Sequence, residues 1–437
     1  MQQPFFDLVD NLTGQLTGQE VLLAYFSGEQ SDFVRFNKSL IRQAGSVTQH
    51  WLSLELIAGQ RRMSGSCTLT GEPETDRKRG SELLAELRSA LPNVPDDPYL
   101  LYSTEPHSTE QVRPNELPDT GEITDTVLAA GKGLDLVGIL ASGKIVAGFA
   151  NSLGQRNWFA TNSFHLDWCL YLDKDKAVKT SLAGFEWNAA DFDRKMASAR
   201  EQLAILAKPA KTIQPGKYRV YLPPAALKEV TSMLGWGGFS IKAQRTKTTC
   251  LLKMVEEGRT LAPSVTLREN TADGLAPNFL SGGFIKPDSV TMVESGKLKD
   301  ALASPRSAKE FDVAVNSNEH PESLDMSAGT LDADAMLKEL DTGVYVNQLW
   351  YLNYSDRPAA RLTGMTRFAT FWVEQGKVVA PLNVMRFDET IYNMLGDNLV
   401  GLTSQRELLP SASTYRSRST GSARLPGALM RDFAFTL

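Results

Sequence analysis

The densest run of side chains able to hold a metal is His165-Leu166-Asp167-Trp168-Cys169. On an extended strand, alternation puts His165, Asp167 and Cys169 on one face. Imidazole, carboxylate and thiolate are all zinc ligands. Three of them at successive i,i+2 positions of one strand converge poorly on a tetrahedron, so a structural role is the first expectation and a zinc site the alternative. The four histidines, His50, His107, His165 and His320, include no pair at i,i+4 or i,i+5, so H-E-x-x-H and its relatives are absent. Gly138-Ile139-Leu140-Ala141-Ser142-Gly143-Lys144 fits G-x-x-x-x-G-K. A phosphate loop needs Ser or Thr next and then a helix whose N-terminus faces the phosphates. Ile145 follows instead, in a run that reads as strand, and the expectation is a β-hairpin of Leu134–Leu140 and Ile145–Ala150. Cys67 lies among small residues with no sign of an activating His, and reads as a buried structural thiol. No G-x-S-x-G elbow occurs, and the scattered carboxylates suggest no acid and base pair. Arg416-Ser417-Arg418 reads as a solvated loop.

The elements that must position these groups are bounded by composition. The chain has 437 residues, enough for two or three domains, with 42% apolar and 22% charged residues. Lys plus Arg total 46 against 51 Asp plus Glu, a net charge of −5, so neither a basic excess nor a basic stripe points to nucleic acid. Three widely spaced cysteines argue for a reducing compartment. No signal-peptide pattern opens the sequence and no apolar run reaches membrane-spanning length. The expectation is a soluble, cytoplasmic protein with no membrane partner.

The fold class expected is α+β: an N-terminal mixed domain with an antiparallel sheet, and a β-rich C-terminal domain. The first block reads as a meander, with strands at 20–26, 33–37 and 48–56 and turns at Ser27-Gly28 and Ala58-Gly59. Thr75 is positioned to cap a helix running to Leu91 with a Leu83, Leu84, Leu87, Leu91 stripe. Residues 103–122 read as loop, 124–131 as helix and 157–172 and 176–186 as strands. Phe192, Met196, Ala199, Leu203 and Leu206 give residues 191–207 a helical stripe. Pro and Gly near 208–216 mark the boundary between a domain of residues 1–207, including a central segment 103–207, and one of 215–437. In the second, a strand at 218–222, a short helix at 224–234 and one more helix at about 332–341 accompany many strands.

Several stretches, in this order, resemble the TldD/PmbA family. They are Val34-Arg35-Phe36-Asn37, Asn151-Ser152-Leu153-Gly154, Pro215–Pro224, the Gly-rich stretch Gly364–Lys377 and Pro426-Gly427-Ala428-Leu429-Met430. The resemblance implies a peptidase system. In it a TldD-type subunit carries H-E-x-x-x-H on a helix and binds the catalytic metal, while a TldE/PmbA-type subunit lacks the motif. That helix aligns with Leu227–Met233, so the motif positions become Lys228, Glu229 and Met233. A protonated amine does not bind zinc and a thioether binds it poorly, so no metal is expected on this chain and zinc only on a motif-bearing partner.

The function expected from the resemblance is a non-catalytic, TldE-like subunit that encloses unfolded peptides with a TldD-like metal-bearing homologue, or pairs with itself as a homodimer. Arg367 and Glu374 are the candidates for lining the shared cavity. Two alternatives stand beside it. One is a metallopeptidase in its own right using His165, Asp167 and Cys169; the other is a protein-binding regulatory factor, as the family's gyrase-modulator label suggests. Trp350, Tyr351 and Tyr354, on a strand with large side chains on both faces, mark the β-rich domain as the place of assembly.

Overall fold

The computed structural model describes residues 1–436. The chain is α+β, with an antiparallel sheet in its N-terminal half and a larger sheet in its C-terminal half. The first half runs α1 (Gln2–Thr13), β1 (Val21–Asn37), β2 (Leu40–Ala58), β3 (Arg61–Leu69), α2 (Pro73–Ala90), β4 (Thr109–Val112), α3 (Thr120–Gly131), β5 (Asp135–Asn151), β6 (Arg156–Asp173), β7 (Lys176–Gly184) and α4 (Ala189–Leu206). The second runs β8 (Gly216–Leu222), α5 (Pro224–Leu234), α6 (Ile241–Arg245), α7 (Leu252–Glu256), β9 (Leu267–Asn270), β10 (Ser289–Glu294), β11 (Lys297–Leu298), α8 (Pro305–Phe311) and β12 (Ser323–Met326). It ends with α9 (Met336–Leu340), β13 (Gly343–Asp356), β14 (Arg361–Glu374), β15 (Lys377–Pro381), β16 (Arg386–Thr390), β17 (Leu399–Pro410) and β18 (Ser422–Phe435). Among the described residues no helix is long and apolar enough to cross a membrane.

The N-terminal sheet has the order β3-β2-β1-β5-β6-β4, with β7 also on β6. Its strands are longer than the sequence reading. β1 passes straight through Ser27-Gly28, and the turn falls at Lys38-Ser39, both with positive φ. The expected hairpin at 134–150 is one continuous strand, β5, paired with β1 on one side and β6 on the other. Gly143 is there for close approach: its φ is 140°, and a Cβ would lie 2.2 Å from the Gln30 carbonyl. No helix follows it, so the G-x-x-x-x-G-K match is not a phosphate loop. Two further differences are α1, a helix in the block read as strands, and the start of α2. Pro73 occupies the first turn of α2 and Glu72 the cap position expected of Thr75.

Alternation along β6 decides which half of the molecule each side chain meets. Phe164, Leu166, Trp168 and Leu170 pack with the α4 stripe of Phe192, Met196 and Ala199. The odd-numbered residues of this stretch face the C-terminal half, where Phe159 meets Phe279 and Ser163 meets Arg418. In the C-terminal sheet, β18 pairs with β12, β16, β17 and β8, and the pairing of β8 with both β13 and β18 closes a ring through β14 and β16. The core beside this ring takes Leu227, Val230, Met233 and Leu234 of α5 with Val220, Val344, Leu362 and Phe433 of the strands.

Candidate functional site

Pro223-Pro224 fixes where α5 begins: Pro224 fills the first turn, and the Pro223 carbonyl accepts from the amides of Ala226 and Leu227. The apolar stripe of α5 faces the core, which leaves Lys228 and Glu229 on the side turned towards β6 and β13. The Lys228 ammonium donates to the Pro410 carbonyl at 2.7 Å, and the Glu229 carboxylate accepts from the Gln348 amide at 3.1 Å. Met233, five residues on, is about 140° further round a helix of 3.6 residues per turn. It is 4% exposed within the core. Its carbonyl, not its sulfur, is engaged, accepting from the Tyr354 hydroxyl at 2.6 Å.

Opposite α5 stands β6. Asp167 is held by Lys179 of β7 at 3.3 Å. The structure therefore brings together two groups of residues that sequence reasoning treated separately, one on α5 and one on β6. Lys228 and Lys179 both act on Asp167 and on Glu229. Burial pushes the Asp167 and Glu229 carboxyls upward, and both lysines oppose this. Burial likewise pulls the Lys228 ammonium downward against the pull of Glu229 and Asp167. His165, 8% exposed, is driven down to about 4, first by burial and then by the charges of Lys228, Arg418 and Lys179. Cys169 is pushed up to about 11 by burial and the Asp167 charge. A neutral imidazole and a protonated thiol give neither an acid catalyst nor a thiolate at neutral pH.

These residues do not fit a metal ion. Among the described residues no group of three or more His, Cys, Asp or Glu side chains is placed to hold one. His165, Asp167 and Cys169 share a face but are strung along β6, and the nearest charge to Asp167 is an ammonium. Arg367 lies over the rings of Trp350 and Phe368, at 4.7 and 4.9 Å, within electrostatic reach of Cys169. Glu374, the other cavity-lining candidate, is at the far end of β14, where it pairs with Lys211 at 3.1 Å and the Trp372 indole at 2.5 Å. An even number of residues separates a shared face, but seven residues of strand span more than 20 Å.

Three features escaped the sequence reading. Lys179 and Gln348 carried no motif, since each matters only through what folds against it. Arg418, read as part of a solvated loop, is instead inserted into the N-terminal sheet. Its guanidinium donates to the Ser163 carbonyl and hydroxyl at 2.8 and 2.7 Å and to the Gly143 carbonyl at 3.1 Å, while its backbone amide donates to Glu29. A cleft of about 590 Å³ lies between β7, α4, the start of α5 and β17. β7 pairs only with β6, and residues 406–410 of β17 pair only with β18, so two strand edges border this cleft.

The two sheets, with α5 packed on the second, define a two-part α+β protein. Residues 215–437, just over half of the chain, match the PmbA/TldA metallopeptidase C-terminal domain, and the chain belongs to that family. Among solved structures, a protein described as a candidate modulator of a DNA gyrase from Thermotoga maritima superposes with a TM-score of 0.76 at 14% identity over 100% of both chains. TldE from Thermococcus kodakarensis does so with a TM-score of 0.76 at 13% identity, over 99% of this chain and 100% of that one. A candidate modulator of DNA gyrase from Bacteroides thetaiotaomicron gives 0.72 at 16% identity, over 99% and 98%. These likenesses establish the fold. No curated protein matches the sequence.

Proposed function

We propose that this chain is the non-catalytic, TldE-like subunit of a metallopeptidase-type complex, holding unfolded peptide while a metal-bearing homologue supplies the hydrolytic centre. One observation carries the reading: α5, which we align with the family's metal-binding helix, spends the Lys228 ammonium on the Pro410 carbonyl and turns Met233 into the core. The bordering cleft supports the peptide part of it. Strand edges with unpaired amides and carbonyls accept an extended chain irrespective of its side chains, as a peptide handler requires. Assembly through the β-rich half is favoured by Trp350 and Tyr351 of β13, which are 49% and 75% exposed beside Arg367. Aromatic and arginine side chains of this kind dominate the energetics of protein interfaces.

The test is reconstitution. The purified chain is expected to cleave no unfolded peptide in zinc-containing buffer, and to form a complex with a metal-bearing homologue that does. Chelator-sensitive cleavage by the chain alone would return the metallopeptidase reading. A complex whose activity is indifferent to this chain would leave a regulatory role.

A further inference from the structure

The N-terminal sheet turns one row of small residues towards the C-terminal half. Ser31 of β1 pairs with Gly143 of β5, and Gly143 pairs with Ser163 of β6, so three neighbouring strands meet in a line of hydroxyl, bare backbone and hydroxyl. The flanking rows are Glu29, Ile145 and Thr161 on one side and Phe33, Ala141 and His165 on the other. The Arg418 guanidinium lies in the trough between them. One of its terminal nitrogens donates to the Ser31 hydroxyl at 3.4 Å and the Gly143 carbonyl at 3.1 Å. The other donates to the Ser163 carbonyl at 2.8 Å and the Ser163 hydroxyl at 2.7 Å. All four partners act as acceptors. Beside them Glu29, 2% exposed, accepts from the Arg418 backbone amide at 3.2 Å and from the Gln49 side chain. A planar fork serves three strands at once, which a single ammonium does not.

The segment that delivers Arg418 is free to detach. Residues 411–421 form a strap that joins β17 to β18 through a closed neck, where the Ser411 amide donates to the Gly421 carbonyl at 2.8 Å and Pro410 pairs with Ser422. Among the described residues, every hydrogen bond from the strap to the rest of the chain goes to the N-terminal sheet. These are the bonds of Arg418 and one from the Gln49 side chain to the Arg416 carbonyl at 2.6 Å. Tyr415, between neck and anchor, is 84% exposed. Lifting the strap would leave the β17–β18 ladder intact and open an acceptor-lined trough next to a buried carboxylate. We propose that this trough is a guanidinium-binding site held shut in cis by Arg418, and that the arginine side chain of a bound peptide is the ligand that displaces the strap. The inference deepens the proposed function, resting on its reading of the chain as a holder of unfolded peptide, and adds which side chain is read. Pro410, at the root of the strap, accepts from Lys228 and lines one small void with Ser163, His165 and Arg418, so the trough adjoins the helix on which that reading turns.

The experiment follows by fluorescence anisotropy a labelled unfolded peptide with a single arginine, and its twin with citrulline in that place. Both are titrated with the full natural chain, Arg418→Ala, and Arg418→Ala carrying Glu29→Gln; agmatine serves as the free guanidinium probe, and circular dichroism monitors folding. A ligand that competes with a tethered side chain loses affinity by the fraction of time the strap is open, so Arg418→Ala should bind the arginine peptide about a hundredfold more tightly than the natural chain. The citrulline twin should gain nothing, and Glu29→Gln should return most of the gain. In the natural chain, which needs no variant, saturating arginine peptide should quicken amide exchange in residues 411–421 while the citrulline peptide leaves it unchanged. Arginine and citrulline peptides that bind alike to a folded Arg418→Ala, with no competition by agmatine, overturn the inference and leave the proposed function standing. So does arginine peptide that binds the natural chain without quickening exchange in the strap. Agmatine that binds Arg418→Ala while neither peptide binds any form upholds the guanidinium site, and overturns both peptide arginine as its ligand and the peptide-holding function.

Discussion

Replacing Arg418 with Met keeps the length and most of the apolar stem of the side chain and deletes the guanidinium. Three of its bonds are 2.7–3.1 Å long, to the Ser163 hydroxyl, the Ser163 carbonyl and the Gly143 carbonyl. Each bond from a charged donor contributes a net ~1.5–3 kcal/mol, and each buried carbonyl left without a donor costs ~1–3 kcal/mol. Summed naively these exceed what the molecule would lose, because the strap of residues 411–421 has an escape: it lifts off and water reaches the carbonyls. The loss is capped at the free energy that docks the strap, on the order of 3 kcal/mol, the net worth of about two of these charge-assisted bonds. Amide exchange in the strap is therefore expected to quicken about a hundredfold in the variant, at ~1.4 kcal/mol per factor of ten. Hydrogen exchange with mass spectrometry on peptides spanning 411–421 and 138–146 is the assay. Arg418→Lys should fall between, since one ammonium cannot serve carbonyls on β5 and β6 together. Unchanged strap protection in Arg418→Met would refute the argument that this residue docks it.

Three other outcomes follow from the same geometry. His165 is held near 4 against an ordinary 6.5, so between those values the folded state carries fewer protons than the unfolded one. Its contribution is complete above pH 6.5 and lost as the pH falls towards 4, by ~3 kcal/mol, and His165→Gln should flatten that part of a denaturant-midpoint profile. Glu269 has the opposite sign: burial raises it to about 7, so its stabilisation is present below 4.5 and lost as the pH rises through 7. Glu269→Gln, which keeps an acceptor for the amides of Glu322 and Ser323, should exceed the natural chain in stability at mildly alkaline pH and match it in acid; equal midpoints at alkaline pH would contradict this. Trp350→Ala/Tyr351→Ala should leave the melting temperature within a degree or so, because both rings are exposed, and weaken association with a metal-bearing homologue by roughly tenfold or more in sedimentation.

The helices with continuous apolar stripes were legible from sequence, since α4 announces Phe192, Met196, Ala199, Leu203 and Leu206 at helical spacing and buries all of them. The face shared by His165, Asp167 and Cys169 was legible for the same reason, at period two. What failed was punctuation. Ser27-Gly28 and Ala141-Ser142-Gly143-Lys144 have turn composition, yet they sit on paired strands where glycine serves close backbone approach. α1 was missed because no side chain caps it, and its signal lies in Phe5, Phe6, Leu8, Val9 and Leu12 packing on a sheet not yet made. The contacts of Lys179 and Lys228 were illegible for a different reason. Lys179 meets Asp167 through the pairing of β7 with β6, and Lys228 meets Pro410 through the approach of α5 to the end of β17, so neither contact follows from spacing along the chain. Arg418 looked like solvent-facing charge because its acceptors are main-chain carbonyls and a serine hydroxyl, with no acidic partner for its guanidinium to mark the site in the sequence.

The placement of β18 governs how the chain is made. It holds four other strands of its sheet, β8, β12, β16 and β17, and it follows every one of them in the order of synthesis. On the ribosome, the N-terminal sheet has all its partners once α4 has emerged, and is free to fold while synthesis continues. The C-terminal sheet has no such liberty: β8 waits some two hundred residues for β18, with apolar strands β13, β14 and β17 emerging in between. Contacts this distant in sequence fold slowly and leave unpaired edges open to aggregation meanwhile. This half of the chain therefore carries the greater need for chaperone protection, and a stop codon before β18 would release a finished first domain tethered to an unfinished second.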